Sequence, residues 1–140
     1  MNNIEIVDFR FAYVTDKFDN KYIQLGAWSR VYEYPHVTDF IKENKLGNVV
    51  PKIHNTSWGF EGINVTFRDE LDTIGYCTHS DIVKSVYRDT LYYDITTENK
   101  DFENRFDFVV NISTIEHLPT SGSRLVALNN LLKQVKSEGY

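Results

Sequence analysis

The run FDFVVNIS, residues 106–113, constrains the fold more than any other part of the chain. Phe108, Val109, Val110 and Ile112 place bulky apolar groups on both faces of an extended segment, and such a strand has to be covered on both sides. Strands of that kind belong to parallel sheets. Parallel neighbours cannot be joined by a tight turn and need crossovers of a dozen residues or more, usually helices. The segment after the run supplies one. In SGSRLVALNNLLKQVKSEG, 121–139, Leu125, Leu128, Leu131, Leu132 and Val135 recur at helical spacing, which predicts a helix that buries this stripe. Ser121 and Ser123 are the candidate caps.

Three weaker apolar runs precede it, NVVPKIHN at 48–55, YCTHSD at 76–81 and TLYYDIT at 90–96. Between the first two, VTFRDELDTIG carries Val65, Phe67, Leu71 and Ile74 with a closing glycine, and DIVKSVY, 81–87, is a shorter helical candidate. Strands alternating with helices predict an α/β domain with a mostly parallel sheet. Pro51 has no N–H to give to a central ladder, so it points to an edge or a bulge at the first strand. Upstream, EIVDFRFAYV, 5–14, reads as a strand or extended arm. Pro35 opens a helix through Val37, Phe40 and Ile41 that Gly47 closes. The chain thus divides into an arm and short helix, 1–47, and a core, 48–140.

The balance of 20 acidic against 15 basic side chains, net charge −5, disfavours a broad surface for nucleic acid or anionic membrane. No apolar run approaches a membrane span and the start lacks the build of a secretion signal. One cysteine, Cys77, precludes an intrachain disulfide and fits a reducing, cytoplasmic setting.

Ligands of open parallel sheets sit beyond the carboxyl ends of the strands. The residues expected there are His54, Asn55, Thr56, Ser57 and Gly59, then His79, Ser80 and Asp81. Asp94 and Thr96 follow the third strand, and Asn111, Ser113, Thr114, Glu116 and His117 the fourth. A carboxylate such as Asp81 can accept both hydroxyls of a ribose; the competing reading makes it the N-cap of the segment IVKSVY. Gly59 and Gly62 permit either an ordinary turn or close approach of a ligand to the backbone. Trp58 and Phe60 are read as cover for the sheet or a subunit contact before an adenine stack. Glu116 and His117 are adjacent, so they do not face each other as a relay on a helix. His54, His79, Asp81, Asp94 and His117 are nitrogen and oxygen donors, but without H-E-x-x-H or a cysteine pair no metal is expected. Esterase and P-loop motifs are likewise missing.

FENRFDFVVNISTIEHLP, 102–119, followed by LVALNNLLKQVKSEGY, resembles the fourth strand and following helix of the class I S-adenosylmethionine-dependent methyltransferases. In that family an FD-hydrophobic run leads into a polar residue, an E-H-hydrophobic turn and a helix ending in a K-x-G-G start of strand five. The resemblance covers roughly 48–140 and implies a Rossmann-like sheet, incomplete relative to the family's seven strands, with the preceding segment as a cap. It further implies S-adenosylmethionine as cofactor, Asp81 at its ribose, Asp94 and Ile95 near adenine, and Asn111 and Ile112 beneath the methionine part. His54, Asn55, Thr56 and Gly59 stand at the cofactor loop, and Glu116 and His117 on the acceptor side.

Two departures accompany the resemblance. Where the family carries an acidic residue and G-x-G-x-G, this chain reads KIHNTSWGFEG, 52–62, and its last residues correspond to the start of strand five. The expected function is methyl transfer to a small-molecule or glycan nucleophile. The alternatives are a non-catalytic domain derived from such an enzyme, serving assembly or regulation, and a hydrolase or transferase using His54, His79 and Asp81 as metal or acid–base residues. An exposed sheet edge favours a homo-oligomer or a partner that covers it. Arg30, Tyr32, Tyr34 and His36 are candidates for an acceptor pocket, or simply packed aromatics at a helix entry.

Overall fold

The computed structural model describes residues 28–56, 64–83 and 89–140. Helix α1 (Trp28–Asn44) leads into β1 (Lys52–Asn55), α2 (Asn64–Ile74), β2 (Tyr76–Asp81), β3 (Leu91–Tyr92), β4 (Phe108–Val110) and α3 (Ser121–Gln134). Single 3-10 turns lie at Lys100–Phe102 and Ile115–His117. Every strand pair is parallel and the order is β3-β2-β1-β4, with Lys52 opposite Tyr76 and Ile53 opposite Phe108. Among the described residues the domain is therefore α/β, with a four-stranded parallel sheet and three helices, consistent with a Rossmann-like arrangement in which the first strand lies between the second and fourth. The expected arm at 5–14 lies outside the described residues. So do 57–63, which include Gly59 and Gly62, and 84–88 of the candidate helix that starts at Asp81. Among the described residues no helix is long and apolar enough to cross a membrane.

Strand alternation sorts the core into two. On one face Ile53, Phe108 and Val110 pack with Tyr34 and Ile41 of α1 and Phe67 and Leu71 of α2. The Tyr34 ring stacks on Phe67 with centroids 4.2 Å apart. On the other face Tyr93, Ile95, Phe102 and Phe106 pack with Ala127 and Leu131 of α3.

Three sequence expectations are corrected. Pro35 lies inside α1 instead of opening it. Its ring forfeits one helical hydrogen bond, but Tyr34 and Ile41, 3% and 1% exposed, anchor the helix on the sheet across that point. Pro51 does not push β1 to an edge, since β1 is central. The proline stands one residue ahead of the strand, where no N–H is required, and its carbonyl still accepts from Tyr76 N at 2.8 Å.

The third correction concerns α3. It buries Ala127, Asn130, Leu131 and Gln134, while Leu125, Leu128 and Leu132 are 59%, 45% and 60% exposed. The space beneath the helix is filled by Phe102 and Phe106, and the inward amides have work there. Asn130 Nδ2 donates to Ile95 O at 3.0 Å, and Gln134 joins a buried polar chain described below. Its cap is Thr120, with Ser123 as the reciprocal partner of a capping box.

Asp107 ties the sheet together. Its Oδ2 accepts from Lys52 N at 2.7 Å and its Oδ1 from Lys136 Nζ at 2.6 Å. Burial works against the carboxylate, but those hydrogen bonds and the lysine charges hold its pKa below the ordinary value. Beyond it, Tyr140 N donates to Asp107 O and Val109 N donates to Tyr140 O, each at 2.8 Å. This is the bonding of a parallel bridge on the outer edge of β4. A Cβ on Gly139 would come within 2.7 Å of Asp107 O, so only glycine lets the chain approach this closely.

Candidate functional site

A cleft of about 310 Å³ opens beyond the carboxyl ends of the strands. Thr56 reaches it from just past β1, Asp81 from the end of β2 and Ile82 from just past it, Asp94 and Ile95 from the segment after β3, Thr114 and Leu118 from the β4–α3 connection, and Ser123 from the first turn of α3. Its described lining contains two carboxylates and no lysine, arginine or histidine.

Each polar wall residue is held by a local bond. Thr56 continues β1 through a hydrogen bond from its N to Val110 O at 2.9 Å; its hydroxyl donates to the same carbonyl and accepts from Asn111 Nδ2 at 2.7 Å. Asp81 Oδ1 accepts from Val83 N at 2.9 Å, which is the capping bond of the competing reading. One oxygen suffices for that bond, and Oδ2 remains for a ligand. Asp94 is fixed in the same way, with Oδ1 accepting from Thr96 N at 2.8 Å and Thr96 Oγ1 at 2.7 Å. Ile95, 5% exposed, is both core and cleft wall.

The other expected site residues lie elsewhere. His54 is fully buried one residue back along β1, between Ser80 and Gln134. Ser80 Oγ donates to Nε2 at 2.8 Å, Nδ1–H donates to Gln134 Oε1 at 2.6 Å, and Gln134 Nε2 donates to Tyr93 OH at 2.9 Å. Tyr93 OH then donates to Thr97 O at 3.0 Å. The chain runs in one direction, suits a neutral imidazole and satisfies every member. Burial pulls the His54 pKa from 6.5 to about 4, against the Gln134 hydrogen bond. Asn55, 1% exposed, points to the opposite face and donates from Nδ2 to His79 Nδ1 at 3.3 Å. Glu116 and His117 are exposed on their 3-10 turn and line neither this cleft nor the next.

A second cleft, about 270 Å³, lies between α1 and the outer side of β4, with His36, Phe40, Asn111 and Tyr140 among its walls. Asn111 thus faces this space while its amide grips Thr56 of the first, so the two clefts share a polar wall. Of the acceptor candidates, His36 lines the second cleft and Tyr34 is core; the side chains of Arg30 and Tyr32 lie outside the described residues. Sequence reasoning missed Tyr93, Leu118, Pro119 and Ser123 as cleft walls. Their only signal was position just beyond a strand or at a helix start. Neither a family model, nor a curated protein, nor a solved structure matches the chain.

Proposed function

We propose that the first cleft binds the nucleoside part of S-adenosylmethionine and that the protein transfers the cofactor's methyl group to a small-molecule or glycan nucleophile. One observation carries this reading: the cleft at the strand ends presents Asp81 and Asp94 with no described cation. Two carboxylates repel a phosphate-bearing nucleotide. They suit a ligand that has a ribose diol, no phosphate and a positive sulfonium. Asp81 Oδ2 accepts the ribose hydroxyls, Ile95 and Leu118 supply apolar contact for the base, and Asp94 complements the ligand's charge. The volume stands at the lower end of ligand sites, which run roughly 300–1,000 Å³, and matches a nucleoside better than a dinucleotide.

Methyl transfer requires chiefly that the sulfonium be held in line with the acceptor. The cleft beyond Asn111 is the proposed entry for that acceptor. A binding-only domain is the second reading, favoured by the exposure of both Glu116 and His117.

Calorimetry with S-adenosylhomocysteine tests the proposal. Asp81→Asn keeps an acceptor for Val83 N but removes the charge, and is expected to weaken binding roughly tenfold, the scale of one charge-assisted hydrogen bond. Absence of saturable binding by the folded chain, or equal binding of ATP, overturns the reading. Binding without methyl transfer to any acceptor in a small-molecule and glycan panel selects the second one.

A further inference from the structure

On the α2 side of β2, three side chains of metal-ligand type converge. Cys77 and His79 are two apart on one strand and therefore share a face. Asp72 comes from the last turn of α2, returned against β2 by Gly75, where a Cβ would lie 2.5 Å from Pro51 O. One ligand atom from each of Asp72, Cys77 and His79 lies within 4.8 Å of the others, and His79 Nε2 is 2.8 Å from Asp72 Oδ1.

We propose that Asp72, Cys77 and His79 form a binding site for a zinc-type divalent cation, with Asn55 as the partner that fixes the loaded histidine. Thiolate, imidazole and carboxylate together suit a borderline-soft ion, and three protein ligands leave a fourth position for solvent. The Asp72 side chain is 46% exposed, which gives an ion an approach. Arg68 Nε stands 3.9 Å from Asp72 Oδ2 and Arg68 Nη2 donates to Asp89 O at 2.8 Å, so the other carboxylate oxygen is directed at His79.

The independent observation is Asn55. Its Oδ1 is buried without a hydrogen-bond partner while its Nδ2 contacts His79 Nδ1. A histidine that ligates through Nε2 carries its proton on Nδ1 and needs an acceptor there. Rotation of the Asn55 amide places Oδ1 at that point and trades one unpaired atom for another. Asn55 thus serves both histidine tautomers. On loading, the Cys77 thiol proton leaves to solvent and the His79 Nε2 proton is replaced by one on Nδ1. In the absence of an ion, burial, reinforced by Asp72, pushes the Cys77 thiol up to about 12, and coordination displaces that proton.

The test is a Co²⁺ titration of the full chain after chelator treatment, followed by Zn²⁺ competition. Expected are one ion per chain, a near-ultraviolet thiolate-to-cobalt band and its displacement by zinc. Cys77→Ser should abolish the band. Asp72→Asn, at an exposed position, should weaken binding at least tenfold with an unchanged circular dichroism spectrum. No thiolate band in the folded wild-type chain overturns the site. So does Zn²⁺ affinity unchanged in Asp72→Asn.

Discussion

The two faces of the sheet are built on different principles. Toward α1 and α2 the core is apolar packing of Tyr34, Ile41, Ile53, Phe67 and Leu71, and beside it the amide oxygen of Asn55, the residue that bonds His79, is buried with no hydrogen-bond partner. Toward α3, aromatic rings surround a polar chain from Ser80 through His54, Gln134 and Tyr93 in which each donor has an acceptor. His54 and His79 sit on neighbouring strands and are both buried, at 0% and 6% exposure. Burial does not distinguish them. What distinguishes them is their neighbours: each group bonded to His54 is itself satisfied, whereas the Asn55 amide bonded to His79 keeps an unpartnered Oδ1, and a buried polar atom of that kind calls for a reason.

The contrast can be broken in three ways. Leu71→Ala removes a fully buried side chain from the apolar face and should cost about 3 kcal/mol, with a cavity term included. Urea unfolding at pH 7 and pH 5 should return the same loss, since no titrating group takes part. The α3 face should behave otherwise. The His54 pKa is lower in the folded chain, so its contribution is complete above 6.5 and is lost as pH falls toward about 4. The drop from 6.5 corresponds to about 3 kcal/mol across that window. His54→Gln should remove this pH dependence, and an unaltered stability profile would contradict the buried neutral chain. The smallest effect is expected at Leu132→Lys, within about 0.5 kcal/mol. A loss near that of Leu71→Ala would show that the exposed leucine stripe is covered in solution.

The strand and helix order was legible because β4 is marked by an aromatic and β-branched run and α2 by a closing glycine. The orientation of α3 was not. Helical periodicity identifies a leucine stripe but cannot know that Phe102 and Phe106, arriving from irregular segments, fill the core and require amides above them. Pro35 misled for a related reason, since the contact of Tyr34 with Phe67 is invisible in the local sequence. At the site, position beyond a strand end located Thr56, Asp81, Asp94 and Thr96 on one cleft, and the family resemblance added Ile95. The same rule, taken one residue early, selected His54 and Asn55, whose side chains belong to the two faces of the sheet. Asp72 escaped notice because it is a helix residue that meets β2 only through the return at Gly75.

The brevity of β3 also bears on how copies of this chain meet. Among the described residues only Leu91 and Tyr92 form the outer ladder on that margin, and on the opposite margin Tyr140 already occupies bonding groups of Asp107 and Val109. An intruding strand gains little from a two-residue ladder, because association through an edge relies on a row of unpaired amides and carbonyls. Fibril-like stacking through the described edges is thereby disfavoured by geometry alone.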